Sequence, residues 1–152
     1  MAYYNKVIQA GESVKFMGKL HWIIYMNAII VAATGVAGVL VCGLMDSVSV
    51  ILVALVGLLF IMALMHFLRA WFRRATTEIV VTDKRVIFKE GWISRHTEEM
   101  NVSKVESVDI DQGVIGRVLG FGEILIRGTG STWEPISWVA NPLELRNAII
   151  AG

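Results

Sequence analysis

Cysteine is almost missing from this chain: Cys42 is the only one among 152 residues. That excludes an intrachain disulfide and any zinc set built on cysteines, and its place inside an apolar run makes Cys42 a small packing residue. The chain also lacks a Gly-Lys-Ser/Thr phosphate loop, and Gly120-x-Gly122 has no third glycine at the spacing of a dinucleotide fingerprint. His96 has no histidine partner at metal-ligand spacing and no nucleophile beside it, so neither a metal centre, a cofactor nor a hydrolytic site is expected. Asp109 and Asp111 alternate along a strand and read as solvated rather than as an acid-base pair. From Ala75 onward eight Lys or Arg stand against eleven Asp or Glu. This acidic balance argues against a nucleic-acid partner.

Charge is also missing from most of the first half. Trp22 to Leu44 contain no charged side chain, and Val48 to Leu68 contain none apart from the titratable His66. At about 1.5 Å per residue each run can cross a hydrocarbon core of about 30 Å. The second run carries fourteen Leu, Ile, Val or Phe residues, each favouring insertion by roughly 0.3 to 0.6 kcal/mol at mid-membrane. Only Met45, Asp46 and Ser47 separate the runs, so the helices are expected to be antiparallel neighbours. These runs account for 55% apolar residues and a mean hydropathy of +0.62.

Lys6, Lys15 and Lys19 precede the first run, Arg69, Arg73 and Arg74 follow the second, and the turn between them has only Asp46. The positive-inside rule then predicts a multi-pass protein with both termini in the cytoplasm. Trp22 and Tyr25, with Phe67, Trp71 and Phe72, stand where an aromatic interface belt would lie. Trp22, Tyr25, Arg69, Trp71, Arg73 and Arg74 are the expected membrane-interface set, with membrane lipids as partners. Asn27, His21 and His66 lie toward the same end, where water and head groups can satisfy them. The first run is rich in small residues four apart, among them Ala33 and Ala37, and Thr34 and Gly38, a spacing that permits close helix contact.

From Thr76 the pattern changes to short β-favouring runs between turn residues. Glu78–Thr82 and Arg85–Glu90 flank an Asp83-Lys84 turn; Ile93–Asn101, Lys104–Asp111, Glu123–Arg127 and Trp133–Val139 follow, about six strands in all. Gly113–Gly120 reads as a turn or one helical turn. Asn141 as cap, Pro142 at the first position and Glu144 three after the cap announce a final helix whose Leu145, Ala148 and Ile149 share a face. The expected organisation is a segment 1–21, a two-helix hairpin over 22–68 (22–44 and 48–68), and a small β-rich domain over 69–152.

The ordered set Gly11-Glu12-Ser13-Val14, His21-Trp22, Thr82-Asp83-Lys84-Arg85-Val86-Ile87, Gly91-Trp92-Ile93 and Val105-Glu106-Ser107-Val108 continues through the rest of the chain. Asp111-Gln112, Gly116-Arg117-Val118-Leu119-Gly120-Phe121-Gly122, Gly128-Thr129-Gly130 and Asn141-Pro142 complete it. With these residues the sequence resembles the bacterial pleckstrin-homology-like membrane proteins of the YdbS type. The resemblance implies a membrane α-helical hairpin plus a small mainly-β domain, a PH-like sandwich or partial barrel with a C-terminal helix and one missing or very short strand. It implies the bacterial inner membrane and no catalytic activity, and it names no ligand.

Lys84, Arg85 and Lys89 are the candidate contacts to anionic lipid, weakened by Asp83 and Glu90 beside them. Ala33, Ala37, Gly38, Arg117 and Leu119 are the candidate contacts in a homo-oligomer, and exposed strand edges could pair with a protein partner. The expected function is a non-enzymatic, membrane-anchored assembly or interaction module at the cell envelope. An oligomeric pore or transporter component is its rival.

Overall fold

The computed structural model describes residues 11–45, 47–91 and 96–151. They form two compact units, one from the residues up to His21 together with those from Arg74 onward, the other from Trp22–Arg73. Lys6, Asp46, Trp92, Ile93 and Arg95, which entered the sequence reading, lie outside the described residues.

The first unit is a β-sandwich. Strands β1 (Val14–Gly18), β2 (Glu78–Thr82), β3 (Arg85–Glu90) and β4 (His96–Asn101) form one antiparallel sheet in that order. In the second sheet β6 (Phe121–Gly128) is central. It pairs with β5 (Val105–Asp111) on one side and with β7 (Ser131–Thr132) and β8 (Ile136–Ala140) on the other. Two helices complete the unit, α3 (Val114–Leu119) between β5 and β6 and α4 (Pro142–Ile150) at the end. Ile79, Val81, Val86, Ile124, Ile126 and Val139 are almost wholly buried, and α4 adds Leu145 and Ile149 to them. These β-branched and aliphatic side chains are what drives the two sheets together.

The segment before the apolar runs is a working part of this sandwich, which its sequence did not announce. β1 pairs with β2 from Val14↔Thr82 to Gly18↔Ile79. Beyond Gly18 the same chain crosses to the other sheet: Leu20 bridges Val139, the Ala140 N–H donates to the Lys19 carbonyl (2.9 Å) and the His21 N–H to the Trp138 carbonyl (2.6 Å). One stretch thus belongs to both sheets and closes a corner of the sandwich. One strand of the sandwich therefore comes from ahead of the hairpin, and the very short strand is β7.

Two local readings give way to the structure. Trp133–Val139 is not one strand: Pro135 has no N–H for a ladder, so β8 starts at Ile136 while Trp133 is buried beside Phe88, ring centroids 6.2 Å apart. Asn141 precedes α4, but in the left-handed region (φ 50°), where its side chain makes no hydrogen bond to the helix N–H groups. Its amide instead donates to Glu144 Oε2 (3.4 Å), and its backbone carbonyl accepts from Glu144 and Leu145.

The second unit holds a 3-10 turn (Trp22–Tyr25), helix α1 (Met26–Gly43) and helix α2 (Val50–Thr76), whose last residues pass into the sandwich unit. The Ser49 hydroxyl caps α2 by accepting the Ile51 N–H (3.2 Å). Both Trp22–Gly43 and Val50–Thr76 are long and apolar enough to cross a membrane. The helices approach each other at Gly35 and Gly38. A Cβ on Gly35 would lie 3.3 Å from the Phe60 ring, and one on Gly38 2.9 Å from Val56 Cγ2. Tyr25 and Phe67 stack with centroids 5.4 Å apart.

Candidate functional site

Two places in the sandwich concentrate polar or aromatic chemistry, and both involve the segment before α1. The first is the β2–β3 turn. Thr82 is buried, and its hydroxyl accepts the Lys84 and Arg85 N–H groups while donating to the Arg85 carbonyl (2.9 Å) or to Glu12 Oε1 (2.7 Å). Arg85 sends Nε and one terminal nitrogen to the two oxygens of Glu12, each at 3.0 Å, and the other terminal nitrogen to Glu99 at 2.7 Å. Hydrogen bonding to Glu12, opposed by burial and aided by the Glu99 charge, raises the Arg85 pKa further above its already high value. The guanidinium is thereby committed to carboxylates.

That arrangement bears on the expected lipid set. Lys84 is exposed at the turn, whereas Arg85 is half-buried among acids and Lys89 stands on β3 opposite Glu78. The turn is a structural knot between the segment that leads into β1 and the β2–β3 hairpin.

The second place is the end of the sandwich where β1 leaves it. His21 stacks on Phe121 (centroids 5.4 Å, planes 29° apart), and Phe121 in turn lies against Trp138 (5.7 Å, 40°). The imidazole pKa is lowered, chiefly by burial and next by the Arg74 charge, and partly restored by a hydrogen bond to the Leu119 carbonyl. Trp138 has φ 65°, a left-handed conformation that costs a bulky residue about 1–3 kcal/mol. It coincides with a register shift where β8 meets β6. In regular alternation Trp138 would share the inward face of Ile136; the bulge instead turns it out, and Val139 takes the core position.

Beside this aromatic stack sits α3. The Gln112 amide donates to the Phe121 carbonyl (2.9 Å), and Gly116 is buried with its Cα so close to β6 that a Cβ would lie 2.6 Å from the Phe121 oxygen. With its small side held down, the helix presents Val114 (82% exposed), Ile115 (67%), Val118 (79%), Arg117 and Leu119 outward. A shallow cavity of about 300 Å³ is lined by Gly113, Phe121 and Trp138 together with Asp111, Glu123 and Ser137. Asp111 stands directly opposite Glu123 across the strands, and Ser137 donates to Glu123 (2.7 Å).

The remaining expected residues lie on the helices of the second unit and at the ends next to it. Trp22 and Tyr25 occupy the turn before α1, while Arg69, Trp71, Arg73 and Arg74 are exposed on the last turns of α2, with Trp71 edge-on to Phe72 (5.1 Å). Ala33 and Ala37 are exposed on α1, but Gly38 faces Val56 of α2. Asp109 pairs with Arg127 at 3.1 Å, both exposed. Among the described residues no three His, Cys, Asp or Glu are grouped to hold a metal ion. Glu12, whose partners are far along the chain, and Trp138, whose strand pattern points it inward, carry no local signal of these roles in the sequence.

Neither the curated proteins nor the solved structures yield a match to this chain. A family model described as a bacterial PH domain does match, over residues 27–150, which takes in most of both apolar helices and everything from β2 into α4. With two antiparallel four-stranded sheets closed by a C-terminal helix beside that match, this chain belongs to the bacterial PH domain family.

Proposed function

We propose that this protein is a membrane-anchored, non-catalytic PH-like interaction module of the bacterial cytoplasmic membrane. The hairpin α1–α2 spans the bilayer, both termini lie in the cytoplasm, and copies of the chain associate with one another. The observation that carries this reading is topological. The two apolar helices are inserted between β1 and β2, adjacent strands of one sheet, so the sandwich is joined to them by two covalent links rather than by a linker. The charge asymmetry supports the orientation, with Lys15 and Lys19 before α1 and Arg69, Arg73 and Arg74 ending α2. PH-like domains are in general interaction modules without catalysis, and the ions at the β2–β3 turn are used to fasten strands rather than to activate a nucleophile.

Self-association is supported by the outer face of α1, where Ala33 and Ala37 stand exposed one turn apart and permit close helix contact in lipid. Reporter fusions test the topology. A periplasm-dependent phosphatase should be active after Ser47 and inactive after Gly152, with the protein resisting alkaline carbonate extraction. Activity at Gly152, or release by carbonate, would sink the proposal.

A further inference from the structure

The apolar surface of α3 is unusual for a domain surrounded by water. Val114, Ile115 and Val118 are each more than two-thirds exposed, and the fold is built to keep them so. Gly116 leaves no room for a side chain beneath the helix, and Gln112 ties the Phe121 carbonyl below it. The bulge at Trp138 adds a half-exposed indole to the same end, across the cavity that begins at Gly113. Contiguous exposed apolar side chains of this kind mark a contact surface.

Its place in the chain indicates what covers it. Leu119 accepts a hydrogen bond from His21, and Phe121 stacks on the same ring. His21 is the last residue before Trp22, where the apolar run begins. The patch is therefore tethered, within a few side chains, to the point where the chain leaves the sandwich for α1.

We propose that α3 and Trp138 form a lipid-contacting wedge that lies in the head-group region of the membrane holding the hairpin, an inference that rests on the anchoring proposed above. Val114, Ile115 and Val118 enter the acyl boundary, Trp138 takes the interfacial position that suits an amphipathic ring, and Arg117 extends its guanidinium to phosphate. Asp111 and Glu123, which also line the cavity, offer anionic lipid no attraction, so the contact is driven by apolar burial and does not require anionic lipid. The wedge fixes the sandwich against the surface at a second point beside its covalent links.

The test uses the full chain with Cys42→Ala, reconstituted in vesicles of phosphatidylethanolamine and phosphatidylglycerol and carrying one environment-sensitive fluorophore on Val118→Cys, Thr129→Cys or Val36→Cys. Thr129 follows Gly128, and the two ends of β6, Phe121 and Gly128, lie roughly 23 Å apart along the strand. A nitroxide on a shallow acyl position should quench the Val118 label several-fold more than the Thr129 label, a nitroxide deep in the acyl chain should quench the Val36 label, and Ile115→Asp should reduce quenching at Val118 toward the Thr129 level. The same ranking is expected in phosphatidylcholine vesicles. If Val36 is quenched while Val118 behaves like Thr129, the wedge is wrong and the anchoring stands. If the Val118 label is shielded from lipid and aqueous quenchers alike and crosslinks between chains, a second copy covers α3 and the wedge is again wrong. If the Val36 label is not quenched either, the membrane reading falls and takes the wedge with it.

Discussion

Glu12, with a side chain only 1% exposed, holds Arg85 by two parallel hydrogen bonds of 3.0 Å across 73 residues of chain. The bond joins the segment before the apolar helices to the hairpin after them. Removing one partner of such a pair leaves a charge with little water to solvate it. Arg85→Ala should therefore destabilise the sandwich by about 3 kcal/mol, read as the denaturation midpoint in mild detergent. Arg85→Lys should recover only part, because an ammonium cannot serve both carboxylate oxygens in the same planar geometry. Exposed Lys84→Ala should change stability by no more than about 0.5 kcal/mol. A neutral Arg85→Ala would mean that Glu12 and Arg85 do not fasten β1.

The packing under α3 gives a sharper contrast between two glycines. At Gly116 a methyl group would meet the Phe121 backbone oxygen at 2.6 Å, and a backbone atom of a central strand cannot swing aside. A Cβ on Gly113 would meet nothing within 4 Å among the described residues other than its chain neighbours, and φ is −63°. Gly116→Ala should cost about 1–3 kcal/mol and speed amide exchange at Gly120, whose N–H is bonded to the Gly116 carbonyl. Gly113→Ala should be close to neutral. Equal effects at both positions would contradict the close seating of α3 on β6.

How far the sequence revealed this molecule depended on the range of each signal. The β2–β3 hairpin was legible because Thr82-Asp83-Lys84-Arg85 interrupts two β-branched runs, and the observed strands end at those residues. The final helix was legible through Pro142 and the spacing of Leu145 and Ile149, both buried as expected. β1 was not, because Val14-Lys15-Phe16-Met17-Gly18 becomes a strand only by pairing with β2, more than sixty residues on. The role of Arg85 was hidden for the same reason: a cation at a turn reads as a solvated charge until its distant carboxylate is known. Trp138 was hidden by a bulge, which shifts the side-chain alternation without leaving a glycine to mark it.

His21 supplies a pH dependence whose sign can be worked out. Its folded-state pKa is lowered by burial first and by Arg74 second, so the unfolded chain binds the proton more readily. Stability is then fully present above the unfolded imidazole pKa, about 6.5, and falls as the pH drops from there through the folded value. Acidification from pH 7.5 to about 5 should lower the denaturation midpoint, and His21→Gln should remove that part of the slope while weakening the stack on Phe121. A rise in stability on acidification that His21→Gln abolishes would reverse the assignment.

The two small-residue faces of α1 allow packing within the chain to be tested apart from the self-association proposed above. Gly38 faces Val56, where a Cβ would come within 2.9 Å of the Cγ2 methyl, so a side chain there forces the hairpin apart. Ala33 and Ala37 are exposed, one turn apart, and substitution there alters only the surface offered to a neighbour. In lipid, where apolar side chains gain little by meeting each other rather than acyl chains, close backbone approach is what such a face contributes. Gly38→Ile should thus destabilise the hairpin by about 1–3 kcal/mol through overpacking, whatever the assembly state. Ala33→Leu with Ala37→Leu should leave the hairpin intact and shift the chain toward monomer, seen as a lower mass in native nanodiscs and as weaker crosslinking between copies. If the double leucine variant keeps the wild-type mass and crosslinking, self-association does not use this face of α1.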